Sequence, residues 1–129
     1  MPSRLCALRR QAFHRQCRRC YYCGVTMWLL SPDELPGGSP SAAAADRLRC
    51  TAEHLVPKSE GGPDTVSNIV AACAHCNHTR HRRPRPLLPA DYRHLVARRV
   101  SRGAWHPAWV FQQGLLPRTP GLAPAPTRR

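Results

Sequence analysis

Aromatic residues are scarce, at 6% of 129 positions, which excludes a core built on large rings. Lysine is nearly absent: Lys58 stands alone, so almost every basic residue is an arginine. Acidic residues are few, seven against twenty Lys and Arg, and the net charge is +13. No apolar run approaches the ~20 residues of a membrane span. The longest, Val25–Leu30, is only of strand length. The segment MPSRLCALRRQAF is basic but has neither a long apolar stretch nor a small-residue cleavage site, so no secretory signal is read from it. The expectation is a cytosolic protein without a membrane partner, in which thiols stay reduced.

Cysteine, proline and arginine are abundant. Fourteen prolines and eight glycines place many residues in turns and loops. A chain this short and thin in apolar material needs a staple. Arginine favours bidentate contact with phosphate and stacking on bases. Such a charge points to a polyanion partner, most often nucleic acid. A GC-rich genome would enrich Arg, Ala and Pro together, and the two causes are compatible.

Four regions follow from composition. Residues 1–16 form a basic arm, with Leu5, Leu8 and Phe13 at weak helical spacing. Residues 17–83 hold six of the seven cysteines and four of the seven histidines. Within them, 31–45 (SPDELPGGSPSAAAA) reads as a flexible surface insertion between a strand near Val25–Leu30 and another near Leu48–Leu55. Residues 84–116 comprise a linker and a C-terminal helical extension. There Tyr92, Leu95, Val96, Arg99 and Val100 predict a helix from Ala90 to about Arg102, stopped at Gly103. Trp105, Trp109, Val110 and Phe111 are expected to pack onto the core. Residues 117–129 are expected to be a disordered basic tail.

Cys20-x2-Cys23 and Cys73-x2-Cys76 are two paired knuckles, able to close a four-thiolate zinc site with no open position. Such a site is structural, and its binding energy becomes folding energy. Cys17 stands three residues before Cys20 and offers an alternative pairing. Gly24, directly after Cys23, favours Cys20 with Cys23 as the knuckle. Cys6, Cys17 and Cys50 are then free thiols.

Between and beyond the knuckles lie residues suited to phosphodiester hydrolysis. That reaction needs a base for water and a cation to neutralise charge on the phosphate and leaving oxygen. Histidine titrates near working pH; carboxylates and amide oxygens are hard ligands for Mg2+ or Mn2+. Glu53-His54 is adjacent to such a task only if the strand end is irregular, because neighbours on a regular strand face opposite ways. Gly61-Gly62 permits a wide loop returning to Asn68, and Asn77 begins a short helix beside the second knuckle.

The ordered set C-x2-C-G, Glu53-His54 with Pro57, Gly61-Gly62, Ser67-Asn68-Ile69 and Cys73-x2-Cys76-Asn77 resembles the HNH endonucleases of the four-cysteine zinc subgroup. The resemblance spans residues 20–83, about half the chain. It implies an α+β fold: a small ββα-metal nuclease core stapled by the zinc site, with a basic N-terminal arm and a C-terminal helical extension. It implies His54 as general base and Asn68 as the residue that braces the loop and orients it. Glu53 and Asn77 become ligands of a catalytic divalent cation, Mg2+ or Mn2+. His81, four residues after Asn77, shares its helical face and is a further candidate ligand. Arg80, where a lysine is common, joins Arg82, Arg83 and Arg85 in a phosphate-binding stripe. His75 and His78 are expected at the surface, and His14, His94 and His106 lie outside the motif. The implied activity is metal-dependent endonucleolytic hydrolysis, of DNA in the first instance, with a partner protein where specificity is needed. The alternative is a non-catalytic zinc module that binds nucleic acid.

Overall fold

A computed structural model describes residues 3–117. Helix α1, Arg4–Arg15, is capped by the Ser3 hydroxyl, which accepts from the Cys6 amide at 3.1 Å. Its Leu8, Ala12 and Phe13 are buried on one stripe. The sequence-predicted arm is thus part of the core: α1 packs on a two-stranded antiparallel hairpin of β1, Cys50–His54, and β2, Ile69–Cys73. The register pairs Cys50 with Cys73, Ala52 with Ala71 and His54 with Ile69.

All five residues of β2 are buried. Successive strand side chains face opposite ways, so both faces of β2 are covered. Helix α3, Ala74–Arg80, also packs against the hairpin and completes the strand–strand–helix unit. The free side of Ala71 is closed by a side chain: Gln16 Oε1 accepts from the Ala71 amide and Gln16 Nε2 donates to its carbonyl, at 3.0 and 2.9 Å. Tyr21 donates its amide to the same carbonyl.

The strand expected over Val25–Leu30 is reduced to two isolated bridges, Arg19 with Thr26 and Trp28 with Arg49. The inward alternation is correct, since Val25 and Met27 are fully buried. The amides, however, go to separate partners: Met27 to Arg18, Thr26 to Leu115 and Trp28 to Leu48, so no ladder forms. Residues 31–45 also differ from a free surface loop. They hold a helical turn, Pro32–Glu34, and all but the last residue of helix α2, Ala42–Asp46, and they bury Leu35 and Ala45. Glu34 accepts three backbone amides, from Leu29, Leu30 and Ser31, and Trp28 Nε1 donates to the Ala45 carbonyl.

The extension matches its expected helix. Helix α4, Pro89–Ser101, buries Tyr92, Val96 and Val100 at four-residue intervals and ends before Gly103, whose φ is +75°. Helix α5, Ala108–Gln112, places Val110 in the core, and Leu115 and Leu116 follow it there. Trp105, Trp109 and Phe111 pack against that core half-buried. No helix among the described residues is long and apolar enough to cross a membrane. The expected tail lies outside the described residues, apart from Pro117.

Candidate active site and cysteine cluster

Hydrogen bonds from Asn68 shape the loop between β1 and β2. Asn68 Oδ1 accepts from the Val56 amide at 2.9 Å, and Nδ2 donates to the carbonyls of Val56 and Pro63. One buried amide therefore ties down both ends of 56–63. Gly62 sits against this clasp: a Cβ there would lie 1.8 Å from the Val56 carbonyl oxygen. Only glycine allows that approach.

The loop turns Asp64 back onto the end of β1. His54 Nε2 lies 2.8 Å from Asp64 Oδ1. That hydrogen bond, outweighing a smaller opposing effect of burial, holds the Asp64 carboxyl below its usual range. An ionised carboxylate only accepts, so the proton of a neutral His54 sits on Nε2 and Nδ1 keeps its lone pair. Arg4 Nε, at the start of α1, donates to the Asp64 carbonyl.

Glu53 lies one residue earlier and is 1% exposed. Its two oxygens have different surroundings. Oε2 accepts from Tyr22 Oη and Arg80 Nη1, both at 2.7 Å; Oε1 lies 2.9 Å from His81 Nε2. Burial first, and the Glu53 charge next, raise the Tyr22 pKa, so its hydroxyl stays protonated and donates. Asn77 Nδ2 donates to Thr51 Oγ1 and the Ala52 carbonyl, at 3.0 and 3.3 Å, which leaves its Oδ1 uncommitted.

An open cleft of about 260 Å3 is lined by Ala52, Glu53, His54, Pro57, Lys58, Ser59, Asn77 and His81. Four of the sequence-predicted residues, Glu53, His54, Asn77 and His81, thus share one wall. Asn68 stands behind it. Carboxylate, amide oxygen and imidazole on an open wall form a donor set suited to a divalent cation.

Arg80 is a correction. Expected in the phosphate-binding stripe, it is 3% exposed and beneath the site. Its guanidinium donates to Glu53 and to the carbonyls of His54, Leu55 and Leu87, so no donor faces a phosphate. Arg82, Arg83 and Arg85 follow α3 on the exposed surface, and His78, within α3, is exposed too. His75 is half-buried rather than exposed, edge-on to Trp105.

The Sγ atoms of Cys20, Cys23, Cys73 and Cys76 lie within 4.8 Å of one another, and all four residues are buried. Cys23 Sγ and Cys73 Sγ are 3.9 Å apart, far beyond a disulfide bond. A tetrahedron with metal–sulfur bonds of about 2.3 Å has edges near 3.8 Å, so the cluster fits a closed zinc site. The amides of Tyr22, Val25, Cys73 and Cys76 donate to the sulfurs, as thiolates require. Cys20 and Cys23 both stand in the cluster, whereas Cys17 is exposed and outside it. Cys50 is buried, and burial pushes its thiol up to about 12, an unreactive group.

The sequence raises no functional expectation for Tyr22, Asp64 or Arg47, places Trp105 only in core packing, and leaves His106 outside the motif. Asp64 carries a signal, since the base role that the resemblance implies for His54 calls for an acceptor, and the loop behind it offers one carboxylate after Gly61-Gly62. His106 is 5% exposed with Nε2 at 3.3 Å from Cys23 Sγ, a contact across 83 residues that no local pattern announces.

Residues 43–83, about a third of the chain, match the family model of the HNH endonucleases. The matched segment contains β1, β2, α3 and every residue of the cleft wall. It is consistent with an HNH family member and points to a nuclease or other nucleic-acid-related function. No curated protein and no solved structure matches the chain.

Proposed function

We propose that the protein is a metal-dependent HNH endonuclease that hydrolyses phosphodiester bonds in DNA, its core stapled by a structural zinc. The observation that carries the reading is the shared cleft of Glu53, His54, Asn77 and His81. His54 is the general base. With Nε2–H donated to Asp64, Nδ1 accepts the proton of the attacking water, and Asp64 steadies the imidazolium that forms. Asn68 holds the loop and with it Asp64 and the ring of His54. Glu53 and Asn77, with His81 as a further ligand, hold Mg2+ or Mn2+. That cation, when bound, neutralises charge on the phosphate and leaving oxygen. Arg82, Arg83, Arg85 and Lys58 offer positive charge to the nucleic-acid backbone. Cys20, Cys23, Cys73 and Cys76 hold the zinc, which fixes the hairpin to α3 through Cys73 and Cys76.

A second reading, a non-catalytic zinc module that binds nucleic acid, is favoured by one observation. The ion pair of Arg80 with Glu53 already compensates the carboxylate, which weakens its pull on a cation.

The test is nicking of supercoiled plasmid with Mg2+, Mn2+, Ni2+ or Zn2+, beside linear DNA, single-stranded DNA and RNA. Cleavage that stops with chelator and falls about 10²- to 10⁴-fold in His54→Ala supports the nuclease. A folded His54→Ala protein that cuts as fast as wild type removes His54 as base. No cleavage of any substrate with any metal, alongside retained DNA binding, selects the second reading.

A further inference from the structure

Among the described residues, six N–H groups reach the sulfurs of the cluster, and two come from side chains outside the knuckles. Trp105 Nε1 donates to Cys76 Sγ at 3.3 Å, and His106 Nε2 stands 3.3 Å from Cys23 Sγ. Arg47 Nε lies 2.9 Å from the other ring nitrogen, His106 Nδ1. A guanidinium has donors and no acceptor, so the Nδ1 lone pair faces Arg47 and the proton sits on Nε2. His106 therefore donates to Cys23 and, as placed, is not a ligand. Arg47 also donates through Nη2 to the Trp105 carbonyl, gripping both residues at once.

The backbone supplies an independent sign. Trp105 has φ of +79°, a left-handed conformation that a bulky side chain rarely adopts. Such a conformation persists only where surrounding contacts impose it. Here it lets one residue present its indole to Cys76 and its carbonyl to Arg47 while its neighbour reaches Cys23. Trp105 and His106 lie beyond the segment that matches the HNH family model.

We infer that Arg47, Trp105 and His106 form a hydrogen-bonded clamp that locks the C-terminal extension onto the zinc thiolates and slows loss of the metal. The inference rests on the structural-zinc reading and not on nuclease activity. Four thiolates around Zn2+ carry a surplus of negative charge. N–H donors spread that charge and make each sulfur a poorer target for protons, oxidants and competing metals.

The experiment follows zinc leaving the full-length, zinc-loaded protein into a chromogenic chelator, with bound zinc measured by mass spectrometry and the fold by circular dichroism. His106→Leu should release zinc about 10- to 100-fold faster. His106→Gln, whose amide can accept from Arg47 and donate to Cys23, should stay near wild type. Trp105→Phe and Arg47→Met should both accelerate release. A folded His106→Leu protein that releases zinc at the wild-type rate overturns the clamp. So does His106→Gln failing as His106→Leu does, since bulk rather than hydrogen bonding would then matter. Where His106→Leu does not fold, Arg47→Met decides by the same comparison. A wild-type protein that holds no zinc overturns the zinc reading itself and the clamp with it.

Discussion

Replacing Arg80 by methionine separates a buried structural arginine from a phosphate contact. The side chains of Arg80 and Glu53 are 2% and 1% exposed, and their charged atoms are 2.7 Å apart. Removing one partner of such a pair strands the other charge in the interior, at a cost of about 3–5 kcal/mol. The carbonyls of His54, Leu55 and Leu87 lose their donor as well. At roughly 3–4 °C per kcal/mol for a chain of this size, the melting temperature should fall by about 10–20 °C. The assay is thermal and urea unfolding of zinc-loaded protein, followed by circular dichroism. Adding Glu53→Gln to the Arg80→Met background removes the stranded charge and should restore about 2 kcal/mol, a coupling typical of contacting residues. The reasoning fails if Arg80→Met stays within about 0.5 kcal/mol of wild type, as exposed substitutions do. It fails doubly if DNA affinity drops at the same time and its salt dependence loses about one phosphate contact.

Under the proposed mechanism, in which Asp64 supports His54 and does not hold substrate, Asp64→Asn should lower kcat about 10- to 100-fold with KM within about twofold; equal loss in both constants would mean a collapsed loop instead. The depressed Asp64 pKa sets the sign of a pH effect. Its carboxylate stabilises the loop above the usual aspartate pKa of about 4, and that support disappears as pH falls through the lower folded value. Protection factors of the amides over residues 56–68, corrected for the intrinsic pH dependence of exchange, should therefore drop at acid pH in wild type and show no such step in Asp64→Asn. Gly62→Ala should cost about 1–3 kcal/mol, because the new methyl must displace the Val56 carbonyl or the Asn68 amide. Cleavage should fall with it; wild-type activity and stability together would show that the loop does not position the base.

Much of the site was readable because its residues lie close in sequence and carry distinctive chemistry. The two knuckles, the Glu53-His54 pair, Asn68 and Asn77 fall within one ordered motif, and the fold gathers them around a single hairpin and helix. The missing pieces depend on closure. Asp64 reaches His54 only because Asn68 and Gly62 bend the intervening loop. His106 reaches Cys23 only because α4 returns the chain to the cluster and Trp105 accepts a strained backbone. The bridges at Thr26 and Trp28 look like a strand in sequence because the inward alternation of Val25 and Met27 says which side chains are buried, and not where the amides find acceptors.

Arg80 shows the same limit in electrostatic form, and it changes how Glu53 is understood. In a chain of charge +13, an arginine at the end of a helix reads as surface charge. Yet α3 aims it inward, where a buried carboxylate needs a cation. The pairing divides Glu53: Oε2 is spent on Tyr22 and Arg80, and Oε1 remains on the cleft wall beside His81. A carboxylate anchored by one oxygen presents the other in a fixed direction, which the longer arm of glutamate would otherwise leave loose. Because Arg80 stands three residues after Asn77 on the same helix, the ion pair that orients Glu53 also sets the spacing between β1 and the residues of α3 that face it. Under the proposed function the cost would be a weaker field for the divalent cation, since Arg80 already answers the carboxylate's charge from within. The proposed function then calls for a weak, exchangeable divalent cation at Glu53, apart from whatever metal the four-cysteine cluster holds.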